Sequence, residues 1–202
     1  MKKVVLVLAI IAVGFGAQAQ VKFGVKAGLN GYNFSGDDTD GENFKTKIGF
    51  NAGGFANIPV GEKFSVQPEL LYSVEGAKIS EGEDRINYNM NYINIPVLVQ
   101  FNSASGFYAE AGPQIGFLTS AKADTKIGGV STDTDVKEFF KGTNFSAAIG
   151  LGYKLSSGLG FGARYNFGLG NIGDEAGSDI KLGGFQVGLS FSFGGGKKES
   201  KD

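Results

Sequence analysis

Hydrophobic and polar positions alternate with a period of two along most of the chain. In the stretch FSVQPELLYS, Phe64, Val66, Pro68, Leu70 and Tyr72 fall on one face, and Ser65, Gln67, Glu69, Leu71 and Ser73 on the other. Successive side chains of a strand point to opposite sides, so the pattern predicts a strand. Apolar series of the same kind run through 21–29, 48–58, 64–72, 93–101, 107–117, 145–155, 159–169 and 185–193, which makes eight strands. Most extend over about 10 residues, the length a tilted strand needs to cross a bilayer. In the fourth, Tyr88, Met90 and Tyr92 share one phase while Ile93, Ile95, Val97 and Val99 take the other. A slip of one residue flips the face, so a bulge is expected near Tyr92-Ile93.

The connections alternate in length. Those near Pro59, Ser103 and Ser157 are short and carry Gly, Ser and Asn, as tight turns do. Those at 33–45, 76–87, 121–143 and 171–182 are longer and charged. Short turns at one end and long loops at the other are the signature of an up-and-down barrel. Within the third long connection, DTDVKEFFK places Val136, Phe139 and Phe140 either on one side of a short helical turn or as loop side chains packed on the barrel rim. The acidic stretch SGDDTDGE has a calcium-binding composition. It fails the EF-hand register, because Gly41 at the sixth position leaves Gly36 at the first, and it reads as a solvated loop.

The first twenty residues, MKKVVLVLAIIAVGFGAQAQ, set the compartment. A basic start, a short apolar run and the A-x-A site at Ala17-Gln18-Ala19 read as a signal peptide over 1–19. Residues 20–193 then form the barrel domain, and 194–202 (GGGKKESKD) a disordered periplasmic tail. Composition narrows the chemistry. Gly is abundant at 34, Phe reaches 18 against no Trp, and there is neither Cys nor His. Disulfides, thiolate sites, Ser-His-Asp triads and histidine zinc sites are all excluded, which argues against an enzyme. A net charge of −1 gives no reason to expect nucleic acid as a partner.

The last strand, QVGLSFSF, carries polar Gln186, then Gly188, then alternating Phe191 and Phe193. That arrangement at a chain's final strand resembles the signal by which barrel-assembly machinery recognises outer-membrane proteins. With the leader and eight strands it decides the orientation of FSVQPELLYS: the apolar face meets lipid and Glu69 lies inside. The expected fold is an all-β, eight-stranded antiparallel up-and-down transmembrane β-barrel. It would sit as a monomer in the outer membrane of a Gram-negative bacterium, both termini periplasmic. The stretches QPELLYS, YINIPVLVQF, FYAEAGPQIGF, ARYNFGLGNI and GFQVGLSFSF together resemble the PorT-like outer-membrane β-barrel family, often labelled porin family proteins. The resemblance implies eight strands, and most members have no assigned activity.

An eight-stranded barrel has an interior that side chains fill. The inward positions are Lys22, Lys26, Gln67, Glu69, Leu71, Asn94, Leu98, Tyr108, Glu110, Gln114, Arg164 and Asn166. Counting from the short turns puts Glu69, Glu110 and Arg164 within about two residues of one level. Arg164 is long enough to bridge both carboxylates across the lumen, a structural plug. Asn94, Gln114 and Asn166 are its polar surroundings. A glycosidase-like carboxylate pair is set aside, since arginine would hold both carboxylates ionised. Pro68, Pro96 and Pro113 sit inside strands, where local bulges or water are expected. The function that follows is a structural or interaction protein, its lumen largely plugged, acting through extracellular loops and using no cofactor. The alternatives are a narrow diffusion channel, favoured by the small lumen residues Gly112, Gly116, Ala148, Gly150, Gly152, Gly160 and Gly162, and an accessory component of a secretion system, which only the resemblance implies.

Overall fold

The computed structural model describes residues 21–39, 44–81, 84–175 and 177–193. The leader, its cleavage site and the tail from 194 onward lie outside the described residues, as does part of the acidic loop. Nine strands follow in chain order: β1 (Lys22–Ser35), β2 (Phe44–Pro59), β3 (Phe64–Glu81), β4 (Asp84–Asn102), β5 (Phe107–Ile127), β6 (Val130–Asp135), β7 (Thr143–Lys154), β8 (Leu159–Gly168) and β9 (Lys181–Ser192). All pairings are antiparallel. β1 pairs with both β2 and β9, and β4 pairs with β5. Eight strands therefore close into a ring, β1-β2-β3-β4-β5-β7-β8-β9, and β6 lies outside it, paired to the outer end of β5.

Closure leaves the barrel no free edge and sorts the alternating side chains into inside and outside. On β3, Phe64, Leu70 and Tyr72 are exposed on the outer surface, while Ser65, Gln67, Glu69, Leu71 and Ser73 are buried inside. The outer surface is apolar around the ring, with Leu29, Ile48, Val97, Ile149, Leu151 and Leu189 among its exposed residues. Near the short turns, aromatics gather into a girdle. Phe64 meets Phe101 at 5.5 Å between ring centres, Phe107 meets Tyr153 at 4.8 Å, and Tyr153 stacks on Phe161 at 5.7 Å. An apolar band with an aromatic border is what a bilayer-spanning barrel presents to lipid and its interface. Two of the short turns close on Gly106 and Gly158, at φ +100° and +92°, values that glycine adopts without strain.

Three expectations need correction. The segments 76–87 and 121–143 are not loops along most of their length, because β3 and β4 run on to Glu81 and from Asp84, and β5 continues to Ile127 before turning at Gly128-Gly129 into β6. These arms turn Ala77, Met90, Ala121 and Ala123 inward and Lys78, Asn89 and Lys122 outward. Their outer face meets water, so the lipid-type alternation is missing although the strands continue. The bulge expected near Tyr92-Ile93 lies on the neighbouring strand. β4 keeps one register with β3 throughout, whereas its register with β5 shifts between Asn91 and Tyr92, where Thr119 of β5 is the extra residue. Tyr88, Met90 and Tyr92 thus face inward by ordinary pleating.

The prolines introduce no bulge. Each faces a gap in one ladder whose register is the same on both sides. The pairs opposite Pro68 on β2, Pro96 on β3 and Pro113 on β4 are missing, while pairing resumes in register beyond them. A missing N–H costs the ladder a bond without adding a residue. The stretch DTDVKEFFK holds a single 3-10 turn, Lys137–Phe139. Val136 and Phe140 pack on the core of the barrel's long-loop end, and Phe139 is exposed.

Candidate functional site: the filled lumen

Strand parity brings three layers into the lumen. The lowest, towards the short turns, is charged. Arg164 of β8 reaches across the barrel and donates from both terminal nitrogens to Glu69 of β3, at 3.0 and 2.9 Å. Its Nε donates to Glu110 Oε1 of β5 at 2.8 Å, and one terminal nitrogen sits 2.7 Å from the same oxygen. The planar guanidinium fork is suited to this double grip. Lys26 of β1 adds bonds of 3.1 and 3.2 Å to the two oxygens of Glu69. Gln67 donates to Glu69 at 2.8 Å, and Gln100 donates to Glu110 at 2.8 Å. Asn57 donates in turn to Gln100, Gln67 and Ser65. The side chains of Glu69, Glu110 and Arg164 are at most 4 % exposed, so the charges are held inside a hydrogen-bonded frame, as buried ions require.

The glycines nearby are filled rather than open. A Cβ at Gly150 would come within 3.0 Å of Glu110 Oε1, and one at Gly116 within 2.5 Å of Asn94 Oδ1. Gly152, Gly162, Gly188 and Gly28 lie in one row of the ladder across β7, β8, β9 and β1. Tyr108 lies against this row, its hydroxyl 2.5 and 2.4 Å from where Cβ atoms of Gly152 and Gly162 would be. Lys154 sits above the Tyr108 ring at 4.8 Å. Gly116, Gly150, Gly152 and Gly162 make room for the larger side chains of Asn94, Glu110 and Tyr108 on strands one or two places away, which weakens the reading of them as a pore.

The middle layer is neutral apart from Glu75 and Lys47. Asn94 donates to Glu75 at 2.6 Å, Asn30 to Ser73 at 2.8 Å, and Asn166 and Gln186 donate to the Tyr32 hydroxyl at 2.9 and 3.1 Å. Gln114 is buried at the same height, where its Cα partners are Pro96 and Ser146. Of the terminal-strand residues, Gln186 faces this layer, Gly188 belongs to the glycine row, and Phe191 and Phe193 lie exposed on the outer surface 5.7 Å apart.

The upper layer is apolar. Tyr32, Phe34, Ala77, Met90, Tyr92, Leu118, Ala121, Ile172 and Leu182 form one buried cluster, with Phe44, Tyr88, Val136, Phe140 and Ile180 against it. The connections close over it: Phe140 bridges to Gly173, and Lys141 N–H donates to Ile172 O at 2.7 Å. Sequence reading did not single out Glu75, Gln100, Lys154 or this cluster. Continuing the inward parity of β3 past Tyr72 finds Glu75, and the inward phase of Tyr88, Met90 and Tyr92 announces the cluster. Of the inward candidates, Lys22 is exposed at the short-turn end and belongs to no layer.

Beyond the ring, the β5–β6 hairpin stands free with every residue of β6 exposed. Ile127 and Val130 at its tip are 57 % and 69 % exposed. Asp124 and Asp133 face each other across it. The hydrogen bond they share, and the neighbouring charge, raise the Asp124 carboxyl above its ordinary value.

A sequence model described as an outer membrane protein beta-barrel domain matches residues 17–174. Among solved structures, the chain is similar to Neisserial surface protein A (NspA), with 15% identity over 85% of this chain and 97% of that one, and a TM-score of 0.51. It is also similar to Ail, the attachment invasion locus protein of Yersinia pestis, with 17% identity over 85% and 98% of the two chains and a TM-score of 0.49. A third similar structure is OprG of Pseudomonas aeruginosa, at 11% identity over 85% and 95% and a TM-score of 0.42. At 15% identity the likeness to NspA speaks to the fold alone. No curated protein matches.

Proposed function

The chain belongs to the outer membrane protein β-barrel domain family, and from that premise we propose that it is a closed barrel that acts by contact at its long-loop end, as a structural or interaction protein. The observation that carries this reading is the filled lumen: a charged layer and an apolar layer lie in series, and four of the small residues that favoured a channel, Gly116, Gly150, Gly152 and Gly162, are covered by Asn94, Glu110 and Tyr108. The open edge of β6 supplies the contact surface. Among the described residues its backbone pairs with β5 alone, and an edge of this kind accepts an extended segment of another chain by strand addition. In this reading the long-loop end is extracellular, the termini are periplasmic, the barrel is a monomer in lipid, and no cofactor takes part. The finer PorT-like assignment belongs to the same proposal and rests on the sequence stretches quoted above.

The test uses intact cells. Added protease should cut at the Gly128-Gly129 tip and leave the short turns whole. A photo-crosslinking residue at position 132 of β6 should give discrete adducts, and one at position 151 on the outer wall should not. Cleavage at Gly106 or Gly158 instead would reverse the orientation, and the absence of adducts at 132 would remove β6 as the contact surface.

Assembly through the last strand is part of the proposal. A Cβ at Gly188 would stand 2.6 Å from the Ala27 carbonyl oxygen and 2.9 Å from Gly28 Cα, at the seam where β9 meets β1. The Phe193 N–H donates to Phe23 O at 2.7 Å. Gly188→Asp and Phe193→Ala should each reduce the heat-modifiable fraction in the outer membrane severalfold, while Lys198→Ala leaves it unchanged. Equal assembly of the three variants would take this role away from the terminal strand.

A further inference from the structure

The geometry points to a binding site for a small monovalent inorganic anion, of the halide class, between Lys26 and Lys154 in the charged layer. The two lysines lie at one level of the wall: Lys154 pairs with Gly160, Gly160 with Ser190, and Ser190 with Lys26. Because glycine and serine stand between them, no side chain larger than serine rises from the wall between the two lysines. A cavity of about 40 Å³ lies there, lined by both lysines together with Tyr108, Arg164, Ser190 and the carboxylate of Glu110. That volume has room for one small ion or for two to three waters.

The charge count favours an anion. The layer holds three basic side chains, Lys26, Lys154 and Arg164, on two carboxylates, Glu69 and Glu110, a formal excess of one positive charge. Both oxygens of Glu69 are engaged by Lys26 and Arg164, and those of Glu110 by Arg164 and Gln100. Among the described residues, Lys154 takes part in no ion pair. Its ammonium donates to the neutral oxygens of Gln100 and Asn102 at 2.7 and 3.0 Å. A half-buried cation without a counter-ion, inside walls of low dielectric, attracts an anion more strongly than the same charge does in water. The lysine ammoniums, the Ser190 hydroxyl and the Tyr108 hydroxyl are donors available to coordinate it. Excess charge of one unit matches a monovalent ion.

The experiment uses the whole barrel domain in detergent micelles. Thermal unfolding is followed in sodium bromide, sodium gluconate and sodium phosphate at equal ionic strength. Bromide should raise the midpoint by several degrees over gluconate, increasingly with concentration, as linkage to a native-state site requires. Lys154→Gln should abolish that difference, and Lys122→Gln on the outer hairpin should keep it. Crystals of the wild type grown in bromide should give an anomalous peak between Lys26 and Lys154, a readout that does not depend on any variant folding. No bromide effect in the wild type, the same effect in Lys154→Gln, an equal effect of phosphate, or no anomalous peak in the cavity would each overturn the site.

Discussion

Arg164→Leu should destabilise the barrel by about 3–5 kcal/mol, the usual cost of removing one partner of a buried ion pair. The loss falls unevenly on the two carboxylates. Glu69 keeps Lys26 at 3.1 and 3.2 Å and Gln67 at 2.8 Å. Glu110 keeps the Gln100 amide, at 2.8 Å, and loses the guanidinium. The group left uncompensated is therefore Glu110, and Glu110→Gln should restore most of the stability in the Arg164→Leu background, even with Glu69 intact. Glu69→Gln in that background should restore little, because it leaves both Glu110 and Lys26 without their partners. The measurement is urea unfolding in detergent micelles across the two double-mutant cycles, which isolate the coupling of each carboxylate to the arginine. An Arg164→Leu barrel that unfolds at the wild-type urea concentration would show that the cluster does not hold the strands together.

The part of this arrangement that was legible in the sequence rests on parity. Once Phe64, Leu70 and Tyr72 face lipid, Glu69 must face the lumen, and the same rule sends Glu110 and Arg164 inward. Because the short turns fix where each strand starts, counting residues also gives their height. Those three positions needed no tertiary information beyond a closed ring. The outer arms were read as loops for a physical reason: past Tyr72 and Phe117 the outer face meets water, so Lys78, Asn89 and Lys122 replace the apolar series while the strand continues. The same inversion hid the upper core, since Met90 and Tyr92 look like a slipped lipid face until the barrel is seen to extend beyond the membrane. The partner of each glycine was also out of reach. Tyr108 is the ladder partner of Gly152 and reaches on over Gly162, one strand further, which depends on how its side chain turns. Sequence alone sees only a series of small residues, which reads equally well as an open channel.

Two seals in series change what conductance should report. In the wild type, an ion entering from the short-turn end meets the Arg164 layer first and then the apolar cluster of Tyr32, Met90, Tyr92, Ile172 and Leu182. Arg164→Leu with Glu110→Gln takes charge out of the lower seal and leaves the upper one dry. An apolar constriction excludes water, so this barrel should remain silent in planar bilayers. Met90→Ser with Tyr92→Ser breaks the upper seal instead. Each removes a fully buried side chain, at a cost of about 2–5 kcal/mol per site, and puts hydroxyls where water then enters. That barrel should also be silent, because the guanidinium and its two carboxylates still span the lumen. Combining the four substitutions should give resolvable single-channel steps, with heat-modified gel mobility checking that each barrel has formed. The outcome separates two kinds of molecule. Steady conductance in the wild type would make the protein a narrow channel, and equal conductance of either double variant and the combined one would leave a single gate. Silence in all but the combined protein is what a lumen closed twice, by different chemistry at different depths, requires.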